Sequence, residues 1–167
     1  MNEITRHPLA MDGKDPSNLR GDPIDQERYY SKAYMAQEWQ HLWTKIWHIA
    51  GREQQLQEAG DYLVHDFMRE SVFIVKQKDG SLKGFYNACA HRAQRLVWEN
   101  GFLKRFTCPY HGWVWGLDGG LQDCPDRDDY PQGDPVGKLK LPEVRVASWA
   151  GLVWYTMDEQ APELLSY

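Results

Sequence analysis

The sequence predicts a mainly β fold: several short antiparallel strands preceded by one N-terminal helix. Three observations carry this. Helical spacing of apolar residues occurs only before residue 47, whereas from Gly60 onward the apolar residues alternate or run in short β-branched and aromatic blocks. Turn residues, mostly Gly, Asp and Pro, separate those blocks at short intervals. The chemistry-bearing Cys and His residues then fall between strands, at the tips of loops.

Taken in order, residues 1–28 are polar and broken by Pro8, Pro16, Pro23, Gly13 and Gly21, and are expected to form an irregular arm. Residues 29–167 are expected to form one domain. Ser31 is placed to cap a helix reaching Lys45, with Met35, Trp39, Leu42 and Ile46 on one face and Trp43 widening it. His41 and His48 flank this stripe and are read as packed or surface imidazoles, since no carboxylate or Cys accompanies them. Asp61–Phe67 and Ser71–Gln77 read as strands, the second rich in Val72, Phe73, Ile74 and Val75. Lys78–Ser81 turns the chain and Leu82–Asn87 returns as the hairpin partner. Phe102–Thr107 and Trp113–Leu117 read as strands on either side of a loop, and Asp118-Gly119-Gly120 as a turn. Residues 122–135 are acidic and Pro-rich and are expected to be a solvated loop, because the spacing and closing Glu of a calcium loop are missing. Strands resume over Lys138–Ala147 and Gly151–Met157.

Composition bounds the class. At 167 residues, 42 % hydrophobic and 13 % aromatic with eight Trp, the chain can bury one real core. A net charge of −5 argues against nucleic acid or an anionic membrane as partner, and suits a basic docking face. There is no apolar signal region and no run of eighteen apolar residues, so a cytoplasmic setting is expected. Three Cys do not make a disulfide framework.

The chemistry gathers in one stretch: Cys89-Ala90-His91, sixteen residues, then Cys108-Pro109-Tyr110-His111. Each end offers one thiolate and one imidazole. Two thiolates and two imidazoles match a binuclear iron–sulfur centre that carries Cys on one iron and His on the other. Tetrahedral zinc is satisfied by the same count, although Cys-x-His is not a usual zinc-finger spacing. Pro109 and Gly112 bracket the second loop, one restricting φ and the other allowing close approach to a metal. Arg92 can pair with a carboxylate or sit solvated at a loop tip, and Cys124 is a free thiol in the acidic loop.

This pattern, with Gly112-Trp113 following the second His, resembles the Rieske domain of ring-hydroxylating oxygenase α subunits, loosely from Tyr30 to the C-terminus. The resemblance implies a Rieske-type domain of antiparallel sheets with cluster-binding loops at strand tips, and a [2Fe-2S] cluster. Cys89 and Cys108 would bind the inner iron and His91 and His111 the outer one. Arg92, Pro109, Tyr110, Gly112 and Trp113 would surround these ligands. Respiratory-type Rieske proteins carry two further loop cysteines; here those positions are Gln94 and Tyr110, so no loop disulfide is expected. They also place hydroxyl donors just after the second His, where this chain has Trp113 and Trp115. Fewer donors to sulfur imply a potential in the lower half of the range of about −150 to +300 mV.

By the same resemblance, a reductase or ferredoxin donates the electron, a mononuclear-iron catalytic domain accepts it, and the assembly can be a homo-oligomer. Such an iron needs two His and a carboxylate, yet no His follows His111. The expectation is a chain that relays electrons and contains no catalytic residue of its own. A free-standing Rieske ferredoxin and a zinc-stabilised binding module are the alternatives.

Overall fold

The computed structural model describes residues 23–166, so most of the expected N-terminal arm lies outside the described residues. The chain divides into two units, one up to Gln37 and one from Glu38. The first helix, α1, spans Glu27–Tyr30, and α2 spans Lys32–Glu38. The Asp25 carboxylate accepts the Glu27 N–H at 2.9 Å, which starts a helical turn inside the stretch expected to be irregular. Ser31 caps α2 as expected, its hydroxyl accepting the Tyr34 N–H at 3.3 Å.

The expected helix to Lys45 does not continue as an α-helix. It widens into a π-helical turn over Trp39–Trp43, where the Thr44 N–H reaches back to the Trp39 carbonyl. The wider turn lets two bulky indoles meet one partner: Trp39 stacks on Phe67 at 6.3 Å and Trp43 meets its edge at 5.5 Å.

Ten strands follow: β1 His48–Arg52, β2 Asp61–Phe67, β3 Glu70–Lys76, β4 Leu82–Tyr86, β5 Gly101–Phe102, β6 Phe106–Thr107, β7 Val114–Trp115, β8 Leu121–Asp123, β9 Glu143–Trp149 and β10 Leu152–Thr156. They form a seven-stranded antiparallel sheet in the order β1-β10-β9-β4-β3-β2-β5 and a three-stranded sheet β6-β7-β8. β3 is buried on both faces. Phe73 and Val75 join one core with Phe85, Phe106, Trp113 and Trp115, while Val72 and Ile74 join another with Leu63, Val144, Val153 and Tyr155. That two-sided burial explains why β3 reads as a continuous apolar run instead of an alternation.

Four expectations need correction. The single strand Phe102–Thr107 is two strands in different sheets: β5 pairs with β2, and β6 with β7. Leu103, Lys104 and Arg105 are exposed between them, since this pair of charges bends outward before Phe106 dives back into the core. β1 lies in a stretch with no expected strand. It carries a bulge between Ile49 and Gly51, which breaks the alternation that reveals strands in sequence. β8 occupies the start of the expected acidic loop, where Leu121 is buried. The strand expected from Lys138 starts only at Glu143, because Pro142 has no N–H for the ladder and instead offers its carbonyl to the Tyr86 N–H. Among the described residues no helix is long and apolar enough to cross a membrane.

Candidate metal centre

Two loops rise beside the first core, one after β4 and one joining β6 to β7, and they share one backbone plan. In the first, the Cys89 N–H donates to the Gln94 carbonyl at 2.8 Å and the Ala93 N–H returns to the Cys89 carbonyl at 2.8 Å. In the second, the Cys108 N–H donates to the Trp113 carbonyl at 2.7 Å and the Gly112 N–H returns to the Cys108 carbonyl at 3.0 Å. The fourth residue after each Cys adopts a left-handed backbone, Ala93 with φ 54° and Gly112 with φ 68°. The two loops are therefore near copies, except that His follows Cys by two residues in one and by three in the other.

The copies bring all four sequence-derived donors to one end of the core. Cys89 and Cys108 are buried, 1 % and 2 % exposed, and the half-buried His91 and His111 lie nearer the surface with ring centroids 4.7 Å apart. His91 stacks flat on Trp113 at 4.6 Å, and Tyr110, itself exposed, covers His111 at 3.8 Å. Pro109, Gly112 and Arg92 sit at exposed loop positions. Among the described residues no three His, Cys, Asp or Glu side chains gather round one point. The donors form two pairs, an arrangement that suits two bridged metal ions better than one tetrahedral ion.

The local electrostatics fit metal ligation. Burial, then the neighbouring His111 and Arg92, hold the His91 pKa below its ordinary value, so the ring stays a neutral donor. His111 Nδ1 is buried without a hydrogen-bond partner, a nitrogen with a lone pair to give. Burial, with Cys108 adding to it, pushes the Cys89 thiol up, while the His91 backbone N–H pulls it down. Metal binding to such a thiol must displace its proton.

Residues 46–145 match the Rieske [2Fe-2S] domain family. The chain belongs to that family. Its cofactor is accordingly a Rieske [2Fe-2S] cluster, and the paired thiols, paired imidazoles and orphaned His111 nitrogen fit one. The Rieske domain is 32 % identical over 148 residues to the α subunit of biphenyl 2,3-dioxygenase from Rhodococcus jostii strain RHA1, covering 86 % of this chain and 32 % of that one. It is 31 % identical over 159 residues to the oxygenase subunit of carnitine monooxygenase from Escherichia coli strain K12, covering 92 % and 42 %. A solved quaternary ammonium Rieske monooxygenase superposes with a TM-score of 0.78 at 29 % identity, over 84 % of this chain and 38 % of that one. The chain thus spans about a third of the length of the curated relatives it matches.

Around the Rieske loops the structure adds residues that sequence reasoning passed over. Asn87 is buried directly before the first loop and uses its whole amide. Its oxygen accepts the Leu96 and Val97 N–H groups, each at 3.1 Å, and its NH₂ donates to the Val97 carbonyl at 2.6 Å and to Ser71 at 3.0 Å. It closes the base of the loop. The signal for it was a lone amide in the apolar run Phe85-Tyr86-Asn87-Ala88-Cys89. Cys124 is a free thiol as expected but is buried in the same core as Cys89 and Cys108. The acidic loop around it is exposed at most positions, as expected of a solvated loop, with Pro135 buried and Arg127 pairing with Asp123 and lying 4.0 Å from Asp134.

Proposed function

We propose that this Rieske domain relays single electrons through a [2Fe-2S] cluster held by Cys89 and Cys108 on one iron and by His91 and His111 on the other. When bound, the cluster supplies a one-electron reservoir. The observation that carries the assignment is the pair of near-copied loops, which sets two buried thiols behind two imidazoles nearer the surface. Cys89 and Cys108 keep their end of the site dry inside the core. His91 and His111, with Tyr110 exposed above them, give the shortest protein path between that site and a docking partner. Arg92, Pro109, Tyr110, Gly112 and Trp113 shape the surroundings, and no residue of this chain is assigned to catalysis.

The relay serves a Rieske oxygenase. A reductase or ferredoxin supplies the electron, and a mononuclear-iron catalytic domain accepts it. The solved relative is described in terms of carnitine oxidation and inter-subunit electron transfer, which supports both the acceptor and a homo-oligomeric assembly. Aromatic rings are one substrate class for the whole oxygenase; quaternary amines are the other, since the carnitine enzyme is about as similar as the biphenyl enzyme. A cytoplasmic setting accompanies this reading.

Metal analysis, reduced-state EPR and redox titration of the full chain test the assignment. Iron and sulfide in equal amounts are expected in the parent chain, with loss of both in Cys89→Ser and Cys108→Ser. His111→Cys should keep iron but lower the potential and slow electron delivery to an oxygenase catalytic domain. Full cluster content in either Ser variant, or unchanged delivery in His111→Cys, refutes the corresponding role.

A further inference from the structure

The two metal-binding loops are near copies, yet their bases are closed by different means. The second is the tip of a hairpin: Thr107 stands opposite Val114 and Phe106 opposite Trp115, so the β6–β7 ladder continues directly from the Cys108–Trp113 rung. The first has no such ladder, because β4 ends at Tyr86 and residues 93–97 form no strand. Counted from the Cys, Arg95 holds the place that Val114 holds in the second loop. Side chains close the first base instead. Asn87 binds Leu96 and Val97 from the buried side, and Arg95 grips the same segment from the half-exposed side. The Arg95 Nε–H donates to the Val97 carbonyl at 2.7 Å. Its Nη2 donates to the Trp98 carbonyl at 3.4 Å and lies 3.0 and 3.1 Å from the two Asp66 carboxylate oxygens. Asp66 stands on β2 opposite Ser71, and Ser71 accepts from Asn87 at 3.0 Å, so both grips return to the β2–β3 pair.

We propose that Arg95, anchored on Asp66, is a positioning residue for the first metal-binding loop, standing in for the strand ladder that holds the second. It acts through its chain neighbour Gln94, whose carbonyl accepts the Cys89 N–H at 2.8 Å and so fixes where that loop starts and returns. A planar guanidinium serves a carbonyl and a carboxylate at once in a single geometry, which a Lys ammonium does not. An ion pair this exposed adds little to global stability, so its effect is local. Released from Asp66, residues 94–98 keep only Asn87. Cys89 and His91 then gain motion that the ladder denies to Cys108 and His111. Groups that orient metal ligands tune the metal they hold, so a loosened first loop spreads the geometry around the site.

The inference rests on Cys89 and His91 being ligands, and its test is separable from that reading. Arg95→Gln and Asp66→Asn are compared in the cluster-loaded full chain. One removes a cation and the other an anion, so their fields act on the site with opposite sign, whereas loss of the anchor acts alike in both. Each should broaden the reduced-state EPR signal and speed hydrogen exchange of residues 89–98 several-fold, with residues 108–114 and the denaturation midpoint close to the parent. Asp66→Glu, which keeps the carboxylate, should restore part of the parent behaviour. Unchanged line width and exchange in both variants overturn the proposal, as does equal loosening of both loops. EPR changes of opposite sign in the two variants mark a field effect and overturn it too. Cluster retention in Cys89→Ser instead overturns the ligand assignment beneath it and leaves the exchange comparison standing.

Discussion

The imidazole of His91 lies flat against the indole of Trp113, ring centroids 4.6 Å apart and planes within 1°. His111 crosses the same imidazole at 69°, so His91 is confined by a wall on one side and a neighbour at its edge. Trp113 is 3 % exposed and braced in turn by Trp115 and Tyr130. Truncating it removes both core volume and the wall. Trp113→Leu should cost about 2–4 kcal/mol of stability. It should also speed cluster loss several-fold, read as decay of visible absorbance under chelator. Equal decay rates in variant and parent would show that the stack does not hold His91.

The two left-handed positions predict opposite outcomes. Ala93 holds φ 54° against the ordinary preference of an L residue, whereas Gly112 holds φ 68° at no such cost. Ala93→Gly should be neutral or stabilise by up to about 1 kcal/mol, and Gly112→Ala should destabilise by about 1–2 kcal/mol. A Cβ at Gly112 would meet only Pro125 Cγ at 3.6 Å, an ordinary contact, so the penalty is one of backbone alone. Chemical denaturation of the pair measures both.

Asn87 predicts a larger loss. Asn87→Leu leaves the Leu96 and Val97 N–H groups buried without their acceptor. The expected cost is about 2–4 kcal/mol, two groups at roughly 1–2 each. Hydrogen exchange at residues 96 and 97 should rise before that of β3, since the loop base opens first.

Acid sensitivity should centre on His65. Burial, then the nearby His48, hold its pKa below the ordinary 6.5, with Asp66 opposing them. The unfolded chain therefore takes up a proton near pH 6.5 that the folded chain refuses until lower pH. This contribution to stability is complete above 6.5 and is lost as pH falls from there through the folded value. His65→Gln should flatten that limb of the stability curve relative to the parent; an unchanged slope would assign it to other groups.

Much of this site could be read directly from residue spacing, because metal donors are scarce residue types and their order along the chain is itself the signal. The hairpin of β3 and β4 was equally legible: Val72–Val75 announces a buried strand, and Asp79-Gly80-Ser81 supplies the Asx turn, with Ser81 N–H on the Asp79 carboxylate at 3.0 Å. What escaped reading depends on contacts distant in sequence. β1 is defined by β10, more than a hundred residues later, and its bulge hides its periodicity. The division of Phe102–Thr107 between two sheets depends on which strands stand nearby, a fact absent from the local residues. The mirrored backbone of the two loops was hidden for another reason: Ala93 and Gly112 share a conformation but not a residue type.

The pairing of β1 with β10 also orders the making of this domain. His48 stands opposite Tyr155, so an early segment finds its sheet partner only after nearly all of the fold has been synthesised. Until then β1 has no partner strand and β9 has a bare outer edge, both open to wrong partners on other chains. Contacts of such long sequence separation slow folding through the entropy of closing the intervening loop. The cluster loops and β2 to β4 lie inside that span and can assemble first, so the seam between the earliest and the latest strand is the last to close.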